Sequence, residues 1–266
     1  MMQWLAALDE LPLWAVYLAI AVTLWFSVEM GGLLGRAKRK RSEKQTESSV
    51  GAMVGGTLGL LAFLLAFTFG MAASRFDNRR NLVLEEANAI GTTYLRTGLL
   101  PEPYRTETRR LLREYVELRL KGVRPEYLEE AIRRSEEVQS LLWSQAGAAG
   151  EKNPSPITAL FIASLNELID LHSKRVTVVL RHRIPEIIWI ALYCVAIFSM
   201  LSIGYQAGLT GATRSLAMLT LILAFTMVLV LIMDLDRPKE ALFRVSQGAL
   251  VDVQKMITPP GAAVRQ

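Results

Sequence analysis

Hydrophobic and polar positions fall into long blocks along this chain rather than alternating. From Pro12 to Leu34 only Glu29 carries a charge, and Val50 to Ser74, Ile187 to Tyr205 and Ser215 to Met233 carry none. Each block is near or above the ~20 residues that cross a hydrocarbon core of about 30 Å as a helix. A helix of a water-soluble domain keeps a polar side, and these blocks keep none. Lipid supplies no hydrogen-bond partners, so each block must satisfy its own backbone groups, which it does as an α-helix. The pattern predicts an all-α, polytopic membrane protein with four transmembrane helices, over about residues 12–34, 50–74, 187–205 and 215–233.

Residues 75–184 follow another pattern, of helices with apolar stripes and charged opposite faces. The second span runs on without a breaker until Gly91, with Leu82, Ala87, Ile90 and Tyr94 on one side. Pro101 and Pro103 mark a turn, after which Leu111, Leu112, Tyr115, Val116 and Leu120 recur at helical spacing up to Gly122. A further helix from near Pro125 carries Leu128, Ile132, Val138 and Leu142 and is expected to stop in Gly147–Gly150. Glu151–Pro156 reads as a loop. The last helix, from about Ile157, places Leu160, Ser164, Leu168, Leu171 and Val176 on one side, and Pro185 allows a bend before the third span. The expected organisation is a first transmembrane hairpin (1–74), a helical polar domain (75–184), a second hairpin (185–234) and a short, partly helical tail (235–266).

Composition sharpens this picture. The chain is 52% hydrophobic and 21% charged, so its charges must be concentrated outside the spans. Trp4, Trp14, Trp25, Tyr17, Trp189 and Tyr205 lie near span ends, where amphipathic rings prefer the headgroup zone. The leader before the first span holds Asp9 and Glu10 and no Lys or Arg, unlike a cleaved signal peptide. The net charge of +5 sits in clusters beside the spans, which points to topology and anionic lipid rather than nucleic acid. Basic residues flanking the spans are somewhat more numerous on the side of the polar domain, which favours cytoplasmic termini and a cytoplasmic polar domain. The densest cluster, Arg36–Arg41, argues the other way.

Candidate chemistry is sparse. Cys194 is the sole cysteine, and His172 and His182 have no partners at metal-ligand spacing, so packing roles are expected for both histidines. No phosphate loop, catalytic triad or apolar carboxylate pair is visible, so neither an enzyme nor a cofactor or metal site is expected. The charged faces of the polar helices, with pairs such as Glu117 with Lys121 and Glu129 with Arg133, read as solvated surface.

The second span is the informative element. Gly51, Gly55, Gly59, Phe63, Phe67 and Met71 follow one another at four-residue steps, which keeps them near one side of a helix. Ala62, Ala66 and Gly70 form a neighbouring ridge. Small residues at this spacing let helix backbones approach closely in lipid. Two uses fit the aromatic steps: filling a bundle or facing lipid, or ringing an axis as an apolar constriction that gates by dewetting.

The run Leu61-Ala62-Phe63-Leu64-Leu65-Ala66-Phe67, continuing to Ala73-Ser74-Arg75-Phe76-Asp77-Asn78, resembles the second transmembrane helix of bestrophin channels. In that family an apolar, mostly aromatic neck has residues four apart, and an Arg-aromatic-aromatic-Asn sequence follows. The stretch Arg75 to Arg80, then Glu85-Glu86-Ala87-Asn88-Ala89-Ile90-Gly91, and Asp236-Arg237-Pro238 after the last span resemble the bacterial bestrophin-like proteins. The resemblance implies a homopentamer in a bacterial inner membrane around a pathway for a small inorganic ion. It implies Phe63, Phe67 and Met71 at the neck and Gly59 or Leu60 near its entrance. It also implies Arg75, Arg79 and Arg80 around the exit, where basic groups raise local anion concentration. The acidic cluster of calcium-activated bestrophins is absent, since Asp234 and Asp236 are followed by Arg237 and Lys239. Calcium activation is therefore not implied. The neck proline is missing too, with Leu60 and Leu61 in its region. The alternative expectation is a non-conducting scaffold or sensor that docks a partner through the faces of Arg105–Lys121 and Glu126–Glu137. An active transporter would need ionisable groups within the spans, and Glu29, near a span end, is the sole candidate.

Overall fold

A computed structural model describes residues 11–40, 47–181, 183–211, 216–237 and 245–258. Trp4, Asp9, Glu10, Arg41, His182, Pro238 and Lys239, named above, lie outside those residues. The described residues form eight α-helices, one 3-10 turn at Pro125–Tyr127 and no strand. The helices are α1 (Leu13–Arg39), α2 (Glu47–Thr97), α3 (Tyr104–Lys121), α4 (Leu128–Lys152), α5 (Pro156–Arg181), α6 (Glu186–Thr210), α7 (Leu216–Asp236) and α8 (Gly248–Ile257). Four of them, α1, α2, α6 and α7, are long and apolar enough to cross a membrane. The chain divides into two units, Met1–Arg75 with Arg183–Phe243, and Phe76–His182 with Arg244–Gln266.

In the first unit the closest helix pair is α1 with α6, and glycine is the reason. Gly31 and Gly35 of α1 face Gly204 and Gly208 of α6, and a methyl group built on any of the four would overlap backbone atoms of the opposite helix. Val16, Ile20, Leu24 and Val28 of α1 and Leu192, Ala196 and Met200 of α6 are buried. Helix α6 ends at Gly211, whose φ of 71° places it in the left-handed region that glycine tolerates. Ser199 of α6 donates to the Thr57 carbonyl of α2 at 3.2 Å. At the end of α7, Asp236 accepts the Ile184 backbone N–H at 3.1 and 3.3 Å and lies 3.7 Å from the Arg75 guanidinium. Arg237 donates to the Leu11 carbonyl at 3.0 Å. These contacts tie the ends of two spans, α2 and α7, to residues just before α1 and α6.

The second unit packs α3, α4, α5 and α8 around the polar half of α2. Its core contains Ile90, Leu111, Leu112, Tyr115, Val138, Leu142, Phe161, Leu165, Leu168 and Leu250. Helix α2 passes through Gly91, which is buried with the Met256 methyl 3.5 Å from the position a Cβ would take, and ends at Thr97. Helix α8 is pinned at its last carbonyl, Ile257, by Arg113 at 2.8 Å and the Tyr94 hydroxyl at 3.2 Å.

Three expectations need correction. Helix α4 does not stop in Gly147–Gly150 but continues to Lys152, because buried Ala146 and Ala149 and the small Gly150 let α5 lie close. The loop expected over Glu151–Pro156 is correspondingly shorter, since α5 starts at Pro156, where a missing N–H has no cost. Leu160 does not face the core. It is half exposed because the buried side of α5 is centred on Phe161, Leu165 and Leu168, and its carbonyl instead accepts from Arg96 at 2.7 Å.

Candidate functional site: the exposed side of the long helix

Helix α2 has two sides within its membrane-spanning part. Val54, Leu61, Leu65, Thr68 and Ala72 recur at three-, four- and seven-residue steps and are buried. The ridge singled out in the sequence lies on the other side. Phe63 and Phe67 are 67% and 60% exposed, far above what a ring packed within its own chain shows. Gly55, Gly59, Ala62, Ala66 and Gly70 are exposed too, and Gly51 and Met71 are half-buried. A methyl built on Gly55, Gly59 or Gly70 would meet nothing within 4 Å, whereas one on Gly51 would lie 3.2 Å from the Gln206 amide.

The small residues of α2 are thus largely unused inside a single chain, and close helix approach is made elsewhere, by Gly31, Gly35, Gly204 and Gly208. Sequence reading missed that pair, although both helices carry glycines at the same four-residue spacing.

The three arginines after the span diverge. Arg75 turns to Asp236, Arg79 is buried, and Arg80 is exposed.

The second unit holds a buried ionic cluster that sequence reading also missed. Glu86 on α2, fully buried, accepts the Tyr115 hydroxyl at 2.7 Å, lies 2.9 Å from Arg119 Nε and is paired with Arg175. Gln139 donates to the Tyr115 oxygen at 3.4 Å, and His172 Nδ1 lies 3.2 Å from it. Because the Tyr115 proton goes to Glu86, His172 must donate through Nδ1–H, which leaves a lone pair on a buried Nε2. Burial alone would raise the Glu86 carboxyl, but the two guanidiniums and the Tyr115 hydroxyl outweigh it and hold it below its usual range. Burial, reinforced by Arg119, lowers His172 to about 4, so its ring is neutral at pH 7. The reading of the polar-domain charges as solvated surface is corrected here: Arg119 is 8% exposed and its carboxylate partner comes from another helix. His172, for which a packing role was expected, is buried with its Nδ1 beside the Tyr115 hydroxyl. These residues are scattered from 86 to 175, and no local pattern marks them as neighbours.

The cluster joins side chains of α2, α3, α4 and α5 in one buried network. Half of the remaining charges on α3 and α4 pair with one another, Arg134 with Glu114 at 2.8 Å and Arg110 with Glu107 at 2.7 Å among them. Among the described residues no group of His, Cys, Asp and Glu is placed to hold a metal ion.

No curated protein and no solved structure matches the chain. The Bestrophin-like domain matches residues 20–250, a stretch that takes in the glycine crossing, the aromatic ridge of α2 and the buried cluster. With most of its length matched, the chain belongs to the bestrophin-like family.

Proposed function

We propose that this chain is one subunit of an oligomeric ion channel, in which copies gather with the aromatic side of α2 toward a shared axis. Phe63, Phe67 and Met71 then form an apolar neck that passes a small inorganic ion when wetted and blocks it when dry. The observation that carries the reading is the exposure of Phe63 and Phe67 beside Gly55, Gly59 and Gly70, a surface that the chain's own helices leave uncovered. Small residues permit copies to approach closely along it. In this reading the assembly has five copies in a bacterial inner membrane, as the resemblance to bestrophin channels implies, and the basic residues flanking the spans favour a cytoplasmic polar domain and cytoplasmic termini.

The rival reading, a scaffold docking a partner through charged helices, finds less support, because half of those charges pair among themselves and Arg119 is taken up by buried Glu86. Images of the purified protein along the membrane normal test the assembly, and fivefold symmetry is expected. In proteoliposomes, Phe63→Ala with Phe67→Ala should raise ion flux above wild type. A monomer or dimer, or a double variant that passes no more than a silent wild type, sinks the channel reading.

A further inference from the structure

Two charge excesses within the second unit have no partner in their own chain. An open groove of about 460 Å³ between α2 and α5 is lined by Glu85, Glu167 and Asp170 against Lys174. All four are exposed, and among the described residues no ion pair engages any of them. Arg96, a turn beyond Thr92 at the end of the groove, donates to the Leu160 carbonyl at 2.7 Å, and the groove stays net negative with it counted.

The second excess is positive. On α3, Arg109 and Arg113 stand one turn apart, with their guanidiniums 5.3 and 5.9 Å from the centroid of one ring, that of Tyr94. They donate to the neutral oxygens of Thr97, Tyr94 and Ile257, and among the described residues neither has a carboxylate partner. Both remain partly exposed. Nine residues of α2 make two and a half turns, so Tyr94 and Glu85 leave that helix in opposite directions. The negative and positive flanks therefore lie back to back across one helix, inside one unit.

We propose that copies of this chain dock head to tail through their second units, the Arg109 and Arg113 flank of one against the Glu85, Glu167 and Asp170 groove of the next. This contact rests on the oligomer proposed above and names surfaces that build it. Two different patches in contact generate a ring when the rotation closes, whereas one patch meeting itself stops at two copies. Leu95 and Leu160, exposed where the groove ends, add apolar area. The charges set the register and penalise misaligned pairing.

Size exclusion with light scattering of the full-length protein in mild detergent tests this contact. Glu167→Arg with Asp170→Arg should lower the assembled fraction about tenfold at fixed concentration, because each groove then repels its neighbour's arginines. Adding Arg109→Glu to that pair should recover most of the loss. Arg113 is left in place because it also holds α8 at Ile257. In a Cys194→Ser background, a flexible bismaleimide should join copies carrying Arg109→Cys and Glu167→Cys into a ladder that runs past the dimer, and neither cysteine alone should be joined. Assembly indifferent to charge reversal, as a groove filled by another basic partner would give, or lost without rescue, overturns the contact and leaves the channel reading standing. Cross-linking that stops at dimers does the same. Wild-type protein that is monomeric removes the channel reading and this contact together.

Discussion

Tyr115 donates a 2.7 Å hydrogen bond to Glu86, and both side chains are fully buried. The phenol sits at the centre of a network drawn from four helices: α2 supplies the carboxylate, α3 the phenol and Arg119, α4 Gln139, and α5 His172 and Arg175. An ionised Glu86 is tolerated there only because two guanidiniums and a hydroxyl replace its water.

Removing that charge leaves two buried arginines facing each other. Glu86→Gln should therefore destabilise the second unit by about 3–5 kcal/mol, the usual cost of breaking a buried pair. Tyr115→Phe, which removes one hydroxyl, should cost less, about 1–3 kcal/mol. Amide exchange of α3, α4 and α5 in detergent measures both. Equal protection in Glu86→Gln and wild type would contradict the network's role.

Acid should weaken the same unit. The His172 ring titrates near 4 when folded and near 6.5 when unfolded, so the unfolded chain binds the extra proton first. Stability is complete above the unfolded value and is lost as pH falls from 6.5 toward 4, by about 3 kcal/mol in total. Glu86, also lowered in the fold, adds to the loss in the same direction as it protonates. Arg119 and Arg175 face the ring from α3 and α5, and a charged imidazole would be a third cation beside one carboxylate. Exchange protection measured from pH 7 to pH 4 should fall in wild type and fall less steeply in His172→Gln.

Glycines at equal spacing should differ in consequence. At Gly204 an added side chain meets the Val28 backbone, which cannot move aside, so Gly204→Leu should abolish the folded α1–α6 pair and with it recovery of dispersed protein. At Gly59 nothing is near, so Gly59→Ala should leave the single chain folded and favour the helix by about 0.5–1 kcal/mol. Size-exclusion profiles of the two variants separate these outcomes, and a loss of folded protein from Gly59→Ala would show that this ridge is covered within one chain.

The helices were legible because each rests on a local property. Length and apolar content identify a span, and a stripe at helical spacing identifies Tyr115, Val138 and Leu168 as core before any contact is known. Helix stops were less legible: Gly147 and Gly150 read as breakers, yet the close approach of α5 keeps α4 intact through them. The candidate face was legible as a ridge of residues four apart, but a period says only that residues share a side, not what that side meets.

Sequence by itself determined four spans, an all-helical chain and the aromatic ridge of α2, since the bilayer dictates backbone hydrogen bonding and helical geometry dictates which residues align. Tertiary structure alone decided that Gly35 meets Gly208 while Gly59 meets nothing, that Arg75 turns to Asp236, and that Glu86, Arg119, His172 and Arg175 converge. Charge pairing and backbone approach depend on distances between helices far apart in the chain, and no periodicity within one helix encodes them.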